Sequence, residues 1–163
     1  MFRTFEHTAF RLEVRDTYNS PNEKESLRQF RETGIVDQSK RTAWLELVAK
    51  STRAGKVWRR VRVVTVPLTF YSVWGLRVAE ANVDAGDDIR YLPRDQAAGL
   101  PNHDYWLFDS RTLARMHFDE DDGTFVGVEL IKDPAVVVEH NYWRDAAWHH
   151  AITRDDFAKQ HEL

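Results

Sequence analysis

Hydrophobic and polar positions alternate with a period of two near the start of the chain, where Phe10, Leu12 and Val14 interleave with Arg11, Glu13 and Arg15. That period places the two sets on opposite faces and predicts a half-buried β-strand. The pattern then changes. Ser20-Pro21-Asn22-Glu23 offers a capping residue, a proline suited to the first helical turn and a glutamate three positions on, so a helix is predicted there. Leu27 and Phe30 form its apolar edge and Gly34 its stop. A polar gap over 37–41 precedes a second helix, striped by Trp44, Leu47 and Val48 and closed by Gly55.

Residues 57–66 are rich in β-branched side chains, first alternating with basic residues and then continuous up to Pro67. Such a run predicts a strand in a sheet covered on both faces. A helix is predicted over 68–83, although its aromatic residues would also suit a strand, and a short strand over 88–92 follows Gly86. The segment 100–131 is the clearest of all. It predicts strands at Tyr105–Phe108, Thr112–Phe118 and 124–131, the last two joined by an acidic turn ending in Asp122-Gly123. Asp133 caps and Pro134 opens a last helix, striped by Val137, Val138, Trp143, Ala147, Trp148 and Ala151. Together these elements predict an α/β fold, a mixed sheet flanked by helices. The chain is read as a single domain over 1–163, with an N-terminal strand and helical part over 1–55 and an α/β core over 56–163.

Composition narrows the function classes. The chain has 163 residues, 42% hydrophobic and 30% charged, an ordinary globular balance. No apolar run approaches the roughly 18 residues of a membrane span, and the charged N-terminus lacks a signal-peptide core, so a cytoplasmic protein off the membrane is expected. Zero cysteines exclude thiol catalysis and cysteine-ligated metal sites. A net charge of −3 gives no global pull toward nucleic acid. The six tryptophans favour an aromatic-rich core over an interface or ligand pocket.

The element order, with two strands joined across Asp109 and a long helix after them, resembles half of the phospholipase D-like fold. Active members carry His-x-Lys-x4-Asp. Registered on Asp109, this chain has Asn102 in place of the histidine and Asp104 in place of the lysine. Asparagine is no nucleophile, and an aspartate repels phosphate, so the resemblance implies that phosphodiesterase chemistry is lost. The segments RVRVVTVPLTFY, ANVDAGDDIRYLPRD, LPNHDYWLFDSR and DPAVVVEHNYWRDAAWHHA are also similar to an uncharacterised actinobacterial family of short proteins. With AFRLEVRD the likeness spans roughly residues 5–155. Members are often encoded beside helix-turn-helix regulators, which implies a regulatory or partner-binding role.

Other chemistry is sparse. His149 and His150 diverge on a helix and cannot easily share a metal, and His140 lacks an i, i+4 partner. His117 and Asp119 would share a strand face, but surface histidines bonded to carboxylates are the favoured reading, and no metal or cofactor is expected. The run 119–122 fails the spacing of a calcium loop. Lys56, Arg59, Arg60 and Arg62 form a basic cluster in which Arg60 and Arg62 share one face and Arg59 takes the other. They are read as a solvated strand edge or as arginines paired with carboxylates. Phosphate-cradling glycine loops are absent.

The expected function is a non-enzymatic regulatory or partner-binding domain working with a helix-turn-helix transcription regulator. Its candidate cleft is a vestigial one at the strand ends, near Arg90, Asn102, Asp104, Asp109 and His117. The alternatives are a small-substrate enzyme using Asp104, Asp109 and His117, and nucleic-acid binding through the 56–62 face. A homodimer is left open.

Overall fold

A computed structural model describes residues 1–163. Its elements are β1 (Thr8–Glu13), α1 (Lys24–Thr33), α2 (Thr42–Arg53), β2 (Val57–Val64), α3 (Phe70–Asp84) and β3 (Asp87–Pro93). They continue with β4 (Tyr105–Phe108), β5 (Thr112–Phe118), β6 (Phe125–Ile131), α4 (Pro134–His150), β7 (Ile152–Thr153) and α5 (Arg154–Gln160). The strands form one sheet in the order β6-β5-β4-β1-β2-β3-β7. β1, β2 and β3 run parallel, whereas β4, β5, β6 and β7 each join antiparallel to a neighbour. The fold is thus the expected α/β mixed sheet flanked by helices. β1 lies between β4 and β2, so residues 1–55 share a sheet with the rest of the chain. No helix is long and apolar enough to cross a membrane.

The two-residue period sorts side chains onto two faces with different characters. One face is apolar: Phe10, Leu12, Val61, Val63, Leu92, Tyr105, Leu107 and Leu113 pack against Val137 and Ala147 of α4. Each such buried side chain stabilises by roughly 1.5–3 kcal/mol. The other face carries two apolar clusters at its ends. Trp58, Trp106, Phe108 and Ala114 pack with Phe5 and Val48, while Val64, Ile89 and Tyr91 pack with Leu76, Ala79 and Phe157. Charged side chains of β1 and β2 lie between these clusters.

Two local expectations need correction. α1 begins at Lys24 rather than at Pro21, because residues 21–23 form a turn in which Glu23 N–H donates to Ser20 O at 3.0 Å. The capping box is not made, since the Glu23 carboxylate instead accepts the Tyr71 hydroxyl at 2.7 Å. The helix still stops at Gly34, whose φ of 72° is readily reached by glycine.

The second correction concerns the C-terminus, where the predicted last helix is not the last. After His150 the chain adds an edge strand, β7, to β3, and α5 then folds back. The Thr153 hydroxyl accepts the Asp156 N–H at 3.2 Å and caps α5. Phe157, fully buried, stacks on Tyr91 at 4.9 Å. At seven residues α5 is too short for periodicity to reveal, and its threonine cap was the one available signal. If α5 is integral, Phe157→Ala should cost about 3–5 kcal/mol in chemical denaturation. A loss below about 1 kcal/mol would mean that α5 contributes little to the folded state.

Candidate functional site

The alternation that buries Phe10 and Leu12 beneath α4 turns Arg11 and Glu13 to the opposite face. The same alternation in β2 turns Arg60 and Arg62 there too, with Trp58 and Val64 beyond them. This face does not close fully under the helices. A cavity of about 650 Å³ remains, floored by Arg11, Glu13, Arg60 and Arg62 and walled by Tyr71 and Trp74 of α3 together with Tyr18, Arg41 and Trp44. Met116 and Phe118 of β5 and Phe125 of β6 complete its far side.

Glu13 organises the floor. Its carboxylate meets Arg62 at 2.7 Å, Arg60 at 2.9 Å and Arg11 at 3.2 Å, and its side chain is 8% exposed. Arg60 continues to Asp87 at 2.9 Å, and Arg11 continues to Asp104 at 3.2 Å. Asp104 also accepts the Tyr18 hydroxyl at 2.6 Å and the Val14 N–H at 2.9 Å. The Trp106 ring lies within 5.2 Å of the Arg11 guanidinium and 5.7 Å of that of Arg60. Arg62 approaches α3 where the helix has Gly75. A Cβ at that position would lie 2.5 Å from Arg62 Nη1. The glycine weakens the helix by about 1 kcal/mol relative to alanine, and makes room for the guanidinium.

Burial and charge act against each other here. Burial alone would raise the Glu13 pKa, but Arg62, Arg60 and Arg11 outweigh it and hold the carboxyl at about 2 instead of the ordinary 4.5. Asp87 and Asp104 go the other way: burial lifts both above the ordinary carboxylate range despite Arg60 and Arg11 respectively. Glu23 is also raised, chiefly by burial, which favours its neutral form at the cavity wall. Arg41 has no carboxylate partner; it donates to Gln38, to Val78 O and to Asn82 Oδ1.

The residues expected at a strand-end cleft do not meet. Asp104 and Asp109 sit at opposite ends of β4, five residues or about 16 Å apart along an extended strand. Asp109 has a structural role. It has φ 52°, and its carboxylate accepts the N–H groups of Glu6, His7 and Thr8 at 2.7–2.9 Å. Burial would raise its pKa, but those backbone donors hold it below the ordinary value. Asn102 is exposed. His117 is exposed on β5 beside Glu129 at 3.3 Å, and Arg90 stacks on Trp148 of α4 at 3.9 Å, on the face away from the cavity. Asp104 alone of this group reaches the cavity's polar network.

The basic cluster is divided in the same way. Arg60 and Arg62 enter the cavity floor, Arg59 lies over Trp148 at 4.9 Å on the α4 face, and Lys56 packs on the Phe5 ring at 4.6 Å. β2 is central rather than an edge, so the buried pair is held by carboxylates and not by solvent.

Several features escaped the sequence reading. Glu13 and Arg11 looked like the solvated half of an amphipathic strand, because period alone cannot say that a helix layer covers that face. Tyr18 lies in a loop and Arg41 ends a single 3₁₀ turn, neither long enough to show a period. The last is a histidine pair: His140, fully buried, has Nε2 3.0 Å from that of His103. Burial, aided by Arg115, lowers the His103 pKa to about 4, and burial also lowers that of His140.

Residues 1–159 match the model of a family described as "Domain of unknown function (DUF6879)". No curated protein matches the chain.

The ion network gives a pH test. Glu13 has a folded pKa below its unfolded value, so its contribution to stability is full above about pH 4.5 and is lost as pH falls toward 2. Glu13→Gln, which leaves the arginines without their shared carboxylate, should cost about 3–5 kcal/mol at pH 7. The gap between the two proteins should close between pH 4.5 and 2 in parallel urea titrations. A gap that stays constant over that range would remove Glu13 from the centre of the network.

Proposed function

The chain belongs to DUF6879, a family whose description assigns no function, and we propose that this domain binds a small anionic ligand in the cavity without transforming it. The ligand would carry a carboxylate or phosphate for the arginines and a flat or apolar body for Tyr18, Trp44, Tyr71 and Trp74. One observation carries this reading: four arginines surround a water-accessible cavity, and Arg41 among them has no carboxylate partner. Buried ion pairs seldom add net stability over apolar packing, so their retention beside a cavity favours recognition.

The make-up of the cavity supports binding over catalysis. Its lining contains no histidine, and the Ser26 hydroxyl accepts from Trp74 Nε1 at 3.3 Å. The enzyme reading through Asp104, Asp109 and His117 has no common pocket to support it. The resemblance described from the sequence makes a helix-turn-helix regulator the first protein partner to test. Ligand occupancy would then be the signal that the domain passes on.

Trp44 and Trp74 line the cavity, so intrinsic fluorescence reports on binding. Titration with benzoate, indole-3-acetate and phenyl phosphate should give a saturable change for at least one of them. Arg41→Met should weaken that binding about tenfold or more, the loss of one charge-assisted contact. Saturation by none of these probes, equal binding by the variant, or steady hydrolysis of phenyl phosphate would overturn the reading.

A further inference from the structure

β6 is the first strand in the sheet order and pairs only with β5, through Leu113–Phe118. No loop or turn hydrogen bond reaches residues 125–131, so the outer backbone edge of this strand is uncovered within the chain. Its side chains are unusually apolar for such a position. Phe125 is 49% exposed, Val126 68%, Val128 44% and Leu130 56%. The strand contains no proline, and Glu129 is its single charge. Edges of soluble proteins are ordinarily protected by charges, prolines or bulges, and a long uncovered apolar edge is a template for another strand. The one bulge here lies at the start, between His117 and Phe118, and leaves 127–131 in regular register.

We propose that β6 pairs antiparallel with β6 of a second copy, forming a two-fold dimer with one sheet continuous through both protomers. The sequence of the strand is self-complementary about Val128. In that register Val128 faces its own copy and Val126 comes opposite Leu130. Glu129 falls opposite Gly127, so no like charges oppose each other. Val128 and Leu130 belong to the same sheet face as Met116 and Ala114, so the pairing joins the apolar stripes of the two copies.

The flanks agree with the strand. Past its C-terminal end stands Lys132, exposed; before its N-terminal end stands the acidic turn of Asp119, Glu120, Asp121 and Asp122. Antiparallel pairing about Val128 sets Lys132 of each copy opposite Thr124 of the other, beside the acidic turn. Asp133, also exposed, follows Lys132 toward the same turn, so the attraction at each end rests on Lys132. Phe125 belongs to both the edge and the cavity wall, so dimerisation and ligand binding would share a boundary.

Sedimentation velocity on the full chain over micromolar to millimolar concentration is the test. The wild type should sediment as a dimer that dissociates on dilution. Val128→Lys, which opposes two ammonium groups on the two-fold axis, should be monomeric with an unchanged circular dichroism spectrum. Lys132→Glu should weaken the dimer about tenfold, and Lys132→Glu combined with Glu120→Lys should restore it. Because both substituted residues of that swap are exposed, it decides the matter even if Val128→Lys fails to fold. A wild type that is monomeric throughout, a dimer indifferent to Val128→Lys, or a swap without rescue would overturn the proposal.

Discussion

One carboxylate sets the arrangement of the site. Glu13 stands on β1, the strand between β4 and β2, and gathers Arg11, Arg60 and Arg62 from two neighbouring strands onto one buried patch. Without it, three guanidinium groups would converge under a helix layer with only Asp87 and Asp104 to offset them. The desolvation cost of such an array is several kcal/mol per ion, and it is tolerable only while every charge is met. The position of α3 follows from this constraint, because Gly75 is the point at which the helix lets Arg62 lie against it.

The two sides of the sheet divide the work. The α4 side is a conventional apolar core, and its burial fixes the register of β1, β2 and β4. That fixed register obliges the intervening residues to face the cavity. Arg11 and Glu13 are where they are because Phe10 and Leu12 are held on the opposite side. The apolar clusters flank the polar patch at either end, and the convergence of Arg62, Arg60 and Arg11 keeps Glu13 ionised well below its ordinary pKa against the effect of burial.

The core was legible from the sequence, and the site only in part, through Arg60, Arg62 and Asp104. Strand periodicity at residues 10–14, the β-branched run after Val57 and the capping signals at Asp133-Pro134 led to the α/β sheet, because local pattern and tertiary role agree there. The turn at Asp122-Gly123 was legible for the same reason: Gly123 has φ 73°. The polar network was hidden because alternation distinguishes two faces but does not say which is covered. Arg11 and Glu13 therefore read as solvated. The resemblance to a catalytic motif drew attention to Asp109, whose three backbone hydrogen bonds instead hold the approach to β1. Asp104, picked from the same motif, does reach the cavity network, through Arg11 and Tyr18.

The central claim is that this buried charge serves recognition rather than stability. Replacing Glu13→Leu, Arg60→Met, Arg62→Met and Asp87→Asn together removes the shared ion pairs and leaves Arg11 with Asp104. The decisive measurement is the urea-unfolding free energy of this variant at pH 7, made alongside the fluorescence titration with the aromatic carboxylates and phenyl phosphate. Stability equal to or above the wild type, with binding abolished, is the expected result. A variant that unfolds several kcal/mol more easily, or one that still binds, would contradict it.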